Sequence, residues 1–338
     1  APTGLWRGTM KMSSKRRRGA VLVLAVLLLG VGIAGAADKK AVPPSGEEGS
    51  AGSLTLWKAL VLGAVEGLTE YLPVSSTGHL LMAERLMGMY GRDGEPLSRR
   101  RQAKTAADAY AICIQGGAIL AVLGLYARRV KQMILGLAGK DPSGLRLTLN
   151  LAAGFLPAAV IGLLAGDLVK QYLFGAWPIV AAWLAGGLAI LVIARWQRRS
   201  MGTRKEKDLT QLNWRMALMI GLVQCIAMWP GVSRSLSTIV GGLLAGLSLP
   251  AAVEFSFLLG VVTLGAATSH DALKHGGDML QLFDATSIAL GLISAFVFAV
   301  ISIRWMVSYL TRHDLSLFGY YRIALAAFAG FLILTGRL

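Results

Sequence analysis

The chain has 338 residues, 55% of them hydrophobic, with a mean hydropathy of +0.59. That excludes a soluble domain of this size, and several stretches of about 18 or more mostly apolar residues describe an all-α polytopic membrane protein. The net charge of +16 lies in Lys and Arg clusters between apolar segments, which reads as positive-inside loops facing anionic lipid headgroups rather than as a nucleic-acid surface.

Residues 1–18 are polar and basic, ending in Lys15, Arg16, Arg17 and Arg18, and Ala20 to Ala34 is apolar. With the small residues Gly35, Ala36 and Ala37, residues 1–37 read as a signal peptide or an uncleaved anchor helix, with cleavage slightly favoured. Residues 38–53 are a linker rich in Pro, Gly and Ser. Leu54 to Tyr71 is a helix that Pro73 stops, and Glu66 to His79 reads EGLTEYLPVSSTGH. The stop falls at membrane depth, so the pattern predicts a re-entrant hairpin returning over His79 to Met89. Residues 90–107 are polar and basic. Spans follow at Ala109–Ala127, Leu147–Ala165 and Trp177–Ala194, with Asp167–Gly175 connecting the last two. Cys113 and Cys225 both lie in apolar segments, which suggests neither a disulfide framework nor a zinc site.

Trp214 to Trp229 repeats the opening pattern: it is apolar, carries Gln224 and stops at Pro230. The turn is Gly231, Val232, Ser233, Arg234 and Ser235, and small residues return the chain through Gly246. Three more spans are expected at Ala251–Thr268, Ser287–Ile303 and Leu317–Thr335. The body thus divides into repeats at 54–213 and 214–338, each a re-entrant hairpin plus three transmembrane helices. Gly63-Ala-Val-Glu66 before Pro73 matches Gly221-Leu-Val-Gln224 before Pro230. Three crossings separate the hairpins, so they enter from opposite sides: an inverted-topology repeat, which points to a site near the midplane. Charge agrees, placing 128–146, 195–213 and 304–316 inside and 167–176 and 269–284 outside. The basic stretch 92–104 is the exception, and reads equally as a neighbour of an anionic substrate or as a solvated loop.

Glu66 and Glu70 are four apart and share one helix face. Ionisable residues at membrane depth cost about 2.5–3.5 kcal/mol each, so they tend to face a cavity and carry function. Arg234, at a turn offering backbone N–H groups and hydroxyls, suits a phosphate or diphosphate. The plainer reading pairs it with Glu66 or Glu70, and both readings bring the two turns together. Beside a diphosphate, Glu66 and Glu70 suit a divalent cation, Mg2+ or Ca2+, or one of them is a general base. Ser75, Ser76 and Thr77 hold a nucleophile or cap a helix start. His79 is a proton donor, a base or a hydrogen-bonded interior histidine. Ser233 and Ser235 read as phosphate ligands or caps, and Thr238 follows one turn later. His270, His275 and His313 are expected in solvated loops, and Asp108 and Glu254 in buried structural roles at the starts of spans.

EGLTEYLPVSSTGH at 66–79 and PGVSRSLST at 230–238 resemble the two signature motifs of the undecaprenyl-diphosphate phosphatase family of the bacitracin-resistance type. The resemblance covers roughly residues 54–338; the front, 1–53, is not part of the family's pattern. It implies an integral membrane phosphatase hydrolysing undecaprenyl diphosphate to undecaprenyl phosphate and phosphate. That would recycle the lipid carrier for peptidoglycan and other envelope polymers, with the site open to the outer face of the bacterial cytoplasmic membrane. It also implies dependence on a divalent cation. By motif, Glu66 and Glu70 match the family's glutamate pair, Ser76 its proposed nucleophile, with Ser75 and Thr77 beside it, and His79 its histidine. Ser233, Arg234 and Thr238 match its diphosphate-binding motif. The phosphatidic-acid phosphatase type is a poorer match, because Ser233-Arg234 is followed by apolar residues where that type needs a histidine and an aspartate. The competing class is a lipid-carrier flippase or transporter on the same inverted repeat. A homo-oligomer is compatible with either.

Overall fold

The computed structural model describes residues 54–89, 97–200, 205–282 and 284–336. The expected leader or anchor at 1–37 and the linker at 38–53 lie outside them, as do residues 92–96 and the side chains of the basic run that follows. The first hairpin is α1 (Leu56–Thr69) and α2 (Ser76–Leu86). Then come α3 (Leu97–Leu125), α4 (Ala127–Leu137), α5 (Pro142–Leu173) and α6 (Ala176–Ser200). The second hairpin is α7 (Trp214–Gln224), one 3-10 turn (Cys225–Met228) and α8 (Arg234–Leu244). It is followed by α9 (Leu249–Leu282), α10 (Ala285–Leu310) and α11 (Ser316–Leu334). Six of these are long and apolar enough to cross a membrane: parts of α3, α5, α6 and α9, and the whole of α10 and α11.

Several expected connections are helical instead. α3 starts at Leu97, inside the polar stretch 90–107, and α9 continues through 269–282. α5 likewise runs on to Leu173. Neither polar extension of α3 or α9 contains a proline, and a helix satisfies its backbone equally well beyond the bilayer edge. His270 is therefore an exposed helical residue and His275 lies in helical backbone, whereas His313 sits in the α10–α11 connection, its ring stacked on Tyr309. The stretch 128–146 contains α4, which folds back on α5 with Gly136 and Gly144 at the tight elbow. Its Ile134 and Leu137 are exposed beside Arg128 and Lys131. Asp108 is exposed on α3 rather than buried. Glu254 is buried as expected, and accepts from Arg129 Nε at 2.7 Å.

Glycine seams place the hairpins. Gly63 and Gly67 of α1 lie directly against the backbone carbonyls of Gly291 and Ala295 on α10, so any Cβ there would collide. Ser294 and Ser302 on α10 add hydrogen bonds to the carbonyls of Leu60 and Gly67 at 2.8 and 2.9 Å. The second hairpin does the same in reverse: Gly221 of α7 lies against the carbonyl of Gly154 on α5. Thus the first hairpin packs on a helix of the second half, and the second hairpin on a helix of the first. α3 meets α9 and α6 meets α11 between them. This exchange is compatible with two inverted halves.

Candidate active site

Pro73 and Pro230 sit between the arms of the hairpins, and each returning helix starts from a serine in the left-handed region. Ser75 has φ 73° and Ser233 has φ 78°; among the described residues they are the two non-glycine positions with positive φ. Such backbone costs on the order of 1–3 kcal/mol and concentrates at functional sites. The same strained cap in both halves is a structural echo of the aligned stops.

The turns touch. Ser235 Oγ donates to the Leu72 carbonyl at 2.8 Å, tying the second turn to the first. Arg234, the first residue of α8, donates from Nη2 to Glu70 Oε1 at 3.0 Å. Ser76, the first residue of α2, donates from Oγ to Glu70 Oε2. One carboxylate therefore joins a hydroxyl from its own hairpin to a guanidinium from the other. Arg234 Nη1 donates to the Ser256 carbonyl at 3.0 Å, and its Nε is buried with no partner. The guanidinium lies over the Tyr71 ring at 5.1 Å, and Gly260 leaves the space it fills.

The other expected residues surround this chain. Ser233 Oγ lies 3.0 Å from Ser235 Oγ and accepts from the Leu236 N–H at 3.3 Å, capping α8. Thr238 Oγ1 is 2.6 Å from Ser256 Oγ and donates to the Arg234 carbonyl at 2.9 Å, so it braces the arginine's own backbone. Ser75 is buried, Thr77 is exposed, and no side chain caps the start of α2. Two helix N-termini thus meet where an anion gains from both. His79 is fully occupied: Nδ1 is 2.7 Å from the Ser75 carbonyl and Nε2 is 2.7 Å from the Tyr321 hydroxyl. A carbonyl only accepts, so Nδ1 carries the proton, and a neutral ring then accepts from Tyr321 at Nε2.

Glu66 is buried on α1 and neither of its oxygens completes a hydrogen bond, with Gln115 alongside. Its match in the second hairpin, Gln224, leaves Nε2 unpartnered in the same way. A buried carboxylate with only the Gln115 amide beside it suits a hard cation. Glu70 fits less well, since Arg234 and Ser76 already occupy its oxygens. Among the described residues no group of three or more His, Cys, Asp or Glu is placed to hold a metal ion, so a cation here needs oxygens from elsewhere.

Ser256, Gly260, Tyr321 and Arg322 belong to the site's surroundings and were not singled out by motif. Arg322 had a signal of its own: a lone arginine inside the apolar stretch Leu317–Thr335.

The sequence is similar to known proteins over most of its length. The family model described as "Bacitracin resistance protein BacA" matches residues 59–328. The chain is 43% identical over 272 residues to an undecaprenyl-diphosphatase of Sorangium cellulosum (strain So ce56), covering 80% of this chain and 83% of that protein. It is 42% identical over 273 residues to undecaprenyl-diphosphatase 2 of Rhodospirillum rubrum, covering 80% and 92%. An undecaprenyl-diphosphatase of Pseudomonas syringae pv. tomato is 41% identical over 274 residues, again covering 80% and 92%. With the match running from α1 into α11 and through both turns, this chain belongs to the bacitracin resistance protein BacA family.

Proposed function

We infer that the protein is an undecaprenyl-diphosphatase, a multi-pass membrane hydrolase that converts undecaprenyl diphosphate to undecaprenyl phosphate and phosphate. The observation that carries its mechanism is the chain Ser76–Glu70–Arg234, which joins a hydroxyl, a base and a fixed cation across the two turns. That is the equipment of phosphoryl transfer. The similar proteins are named as diphosphatases, so the transporter reading is not favoured.

In this reading the diphosphate lies over the starts of α2 and α8, held by their N–H groups and by Ser75, Thr77, Ser233 and Ser235, with Thr238 bracing Arg234. Ser76 Oγ attacks the terminal phosphorus as Glu70 takes its proton. The bridging P–O bond breaks, and undecaprenyl phosphate leaves with that bond's electrons and the proton from Glu70. Water then attacks the phosphoserine, gives a proton to Glu70 and releases phosphate, and Ser76 recovers its proton. Arg234 meets the charge on the transferring group. His79 holds the Ser75 carbonyl and acts by position rather than as the base. A divalent cation, Mg2+ or Ca2+, would be held by Glu66 together with phosphate oxygens, and would offset phosphate charge. Purified protein in detergent is expected to release phosphate from a prenyl diphosphate, to stop in excess EDTA and to recover on adding Mg2+ or Ca2+. No release by the wild type would overturn the hydrolase reading; full activity in EDTA would overturn the metal.

The site opens toward the outer face of the cytoplasmic membrane, consistent with the basic connections lying inside. Thr77 is the exposed residue of the first turn. A Thr77→Cys variant lacking Cys113 and Cys225 should react with an impermeant maleimide applied from outside. Labelling only after permeabilisation would reverse the orientation.

A further inference from the structure

We propose that Arg322 is a positioning residue that clamps both re-entrant turns and so aligns Ser76 with Arg234. It lies on α11, outside both signature motifs, and is fully buried. Arginine has five N–H donors. Here Nε donates to the Trp183 carbonyl at 3.3 Å. Nη1 donates to Val232 at 3.1 Å and Pro73 at 3.4 Å, and Nη2 to Gly231 at 2.7 Å and Ala182 at 2.8 Å, again to backbone carbonyls. No carboxylate is among these partners, so the side chain is not the half of an ion pair. Its whole fork is spent on backbone from α6 and from the two turns.

The carbonyls it holds immediately precede the chemistry. Pro73 stands three residues before Ser76, and Gly231 and Val232 stand just before Ser233 and Arg234. In a trans peptide the C=O and the next N–H point opposite ways. Drawing the Val232 carbonyl toward Arg322 therefore aims the Ser233 N–H away from it, at a residue already forced to φ 78°. The neighbouring Tyr321 bonds His79, which bonds the Ser75 carbonyl. Consecutive residues of α11 thus grip the first turn at two points. Gly186 on α6 completes the seat: a Cβ there would overlap the Arg322 guanidinium.

This inference rests on the reading that the two turns hold the diphosphate. The test is steady-state hydrolysis of farnesyl diphosphate by full-length protein in detergent, per folded enzyme, with thermal melting measured alongside. Arg322→Lys keeps the charge but only three donors at one point. Gly186→Ala leaves Arg322 unmutated, favours helix, and pushes the guanidinium off its carbonyls. Both should lower kcat by about 10²-fold, as a misplacement of roughly 1 Å does. KM should stay within about threefold, because the groups that touch substrate remain. Wild-type kcat in either variant, or a loss confined to folded yield, would overturn the clamp. Arg234→Lys, run in parallel, separates the two ideas: normal turnover there defeats the site itself, whereas impairment there with normal Arg322→Lys and Gly186→Ala defeats the clamp alone.

Discussion

Ser76→Ala is expected to lower kcat by about 10³-fold or more while KM changes little. Ser76 is the first residue of α2, and its hydroxyl has one partner, the Glu70 carboxylate. Alanine is a better helix former than serine and needs no hydrogen bond, so the turn should survive the exchange. What is lost is the atom proposed to attack phosphorus. Binding should persist because the N–H groups of α2 and α8, the remaining serines and Arg234 are untouched. Phosphate release measured against binding of a non-hydrolysable prenyl diphosphonate separates the two effects. A Ser76→Ala enzyme with kcat within tenfold of wild type would mean that water, not Ser76, is the nucleophile.

Arg234→Lys is expected to cost about 10²–10³-fold in kcat/KM although the charge is kept. The guanidinium does three things at once. It bonds Glu70 from Nη2, bonds the Ser256 carbonyl from Nη1, and keeps a buried Nε–H without a partner. That unpartnered donor, together with the second N–H on each Nη, is left to meet phosphate oxygens in the proposed complex. A lysine ammonium is a point donor on a flexible stem and cannot span Glu70, Ser256 and a ligand together. It also leaves a gap against Tyr71 and Gly260, which are shaped around the planar group. Normal kcat/KM in Arg234→Lys would show that charge alone is needed.

Much of this was legible in the sequence because it follows from breakers and buried charge. Pro73 and Pro230 bar a continuous helix, and each lies in the turn between the two arms of its hairpin, a few residues after the first arm ends. A lone Arg234 and paired glutamates inside apolar sequence had to find each other, and Arg234 did find Glu70. Glu70 stands nearer the serine turn in the sequence, which favours it for the chemistry, but the shared helix face does not say which glutamate Arg234 pairs with. His79 was visible as a candidate for acid or base, but its partner Tyr321 is 242 residues away and declares itself only when folded. Arg322 is visible as a lone arginine in apolar sequence, but its role is not, because its partners are backbone carbonyls, which leave no pattern of residue types. α4 escaped because its charges resemble a loop, while Val130, Met133, Ile134 and Leu137 keep a helical spacing too short for a span.

Whether the two turns form one diphosphate site is decided by a structure with a non-hydrolysable prenyl diphosphonate bound. The terminal phosphonate is expected within hydrogen-bonding reach of both Ser76 Oγ and the Arg234 guanidinium, between the starts of α2 and α8. A diphosphonate bound at one turn alone, or seated away from both, would contradict a single shared site.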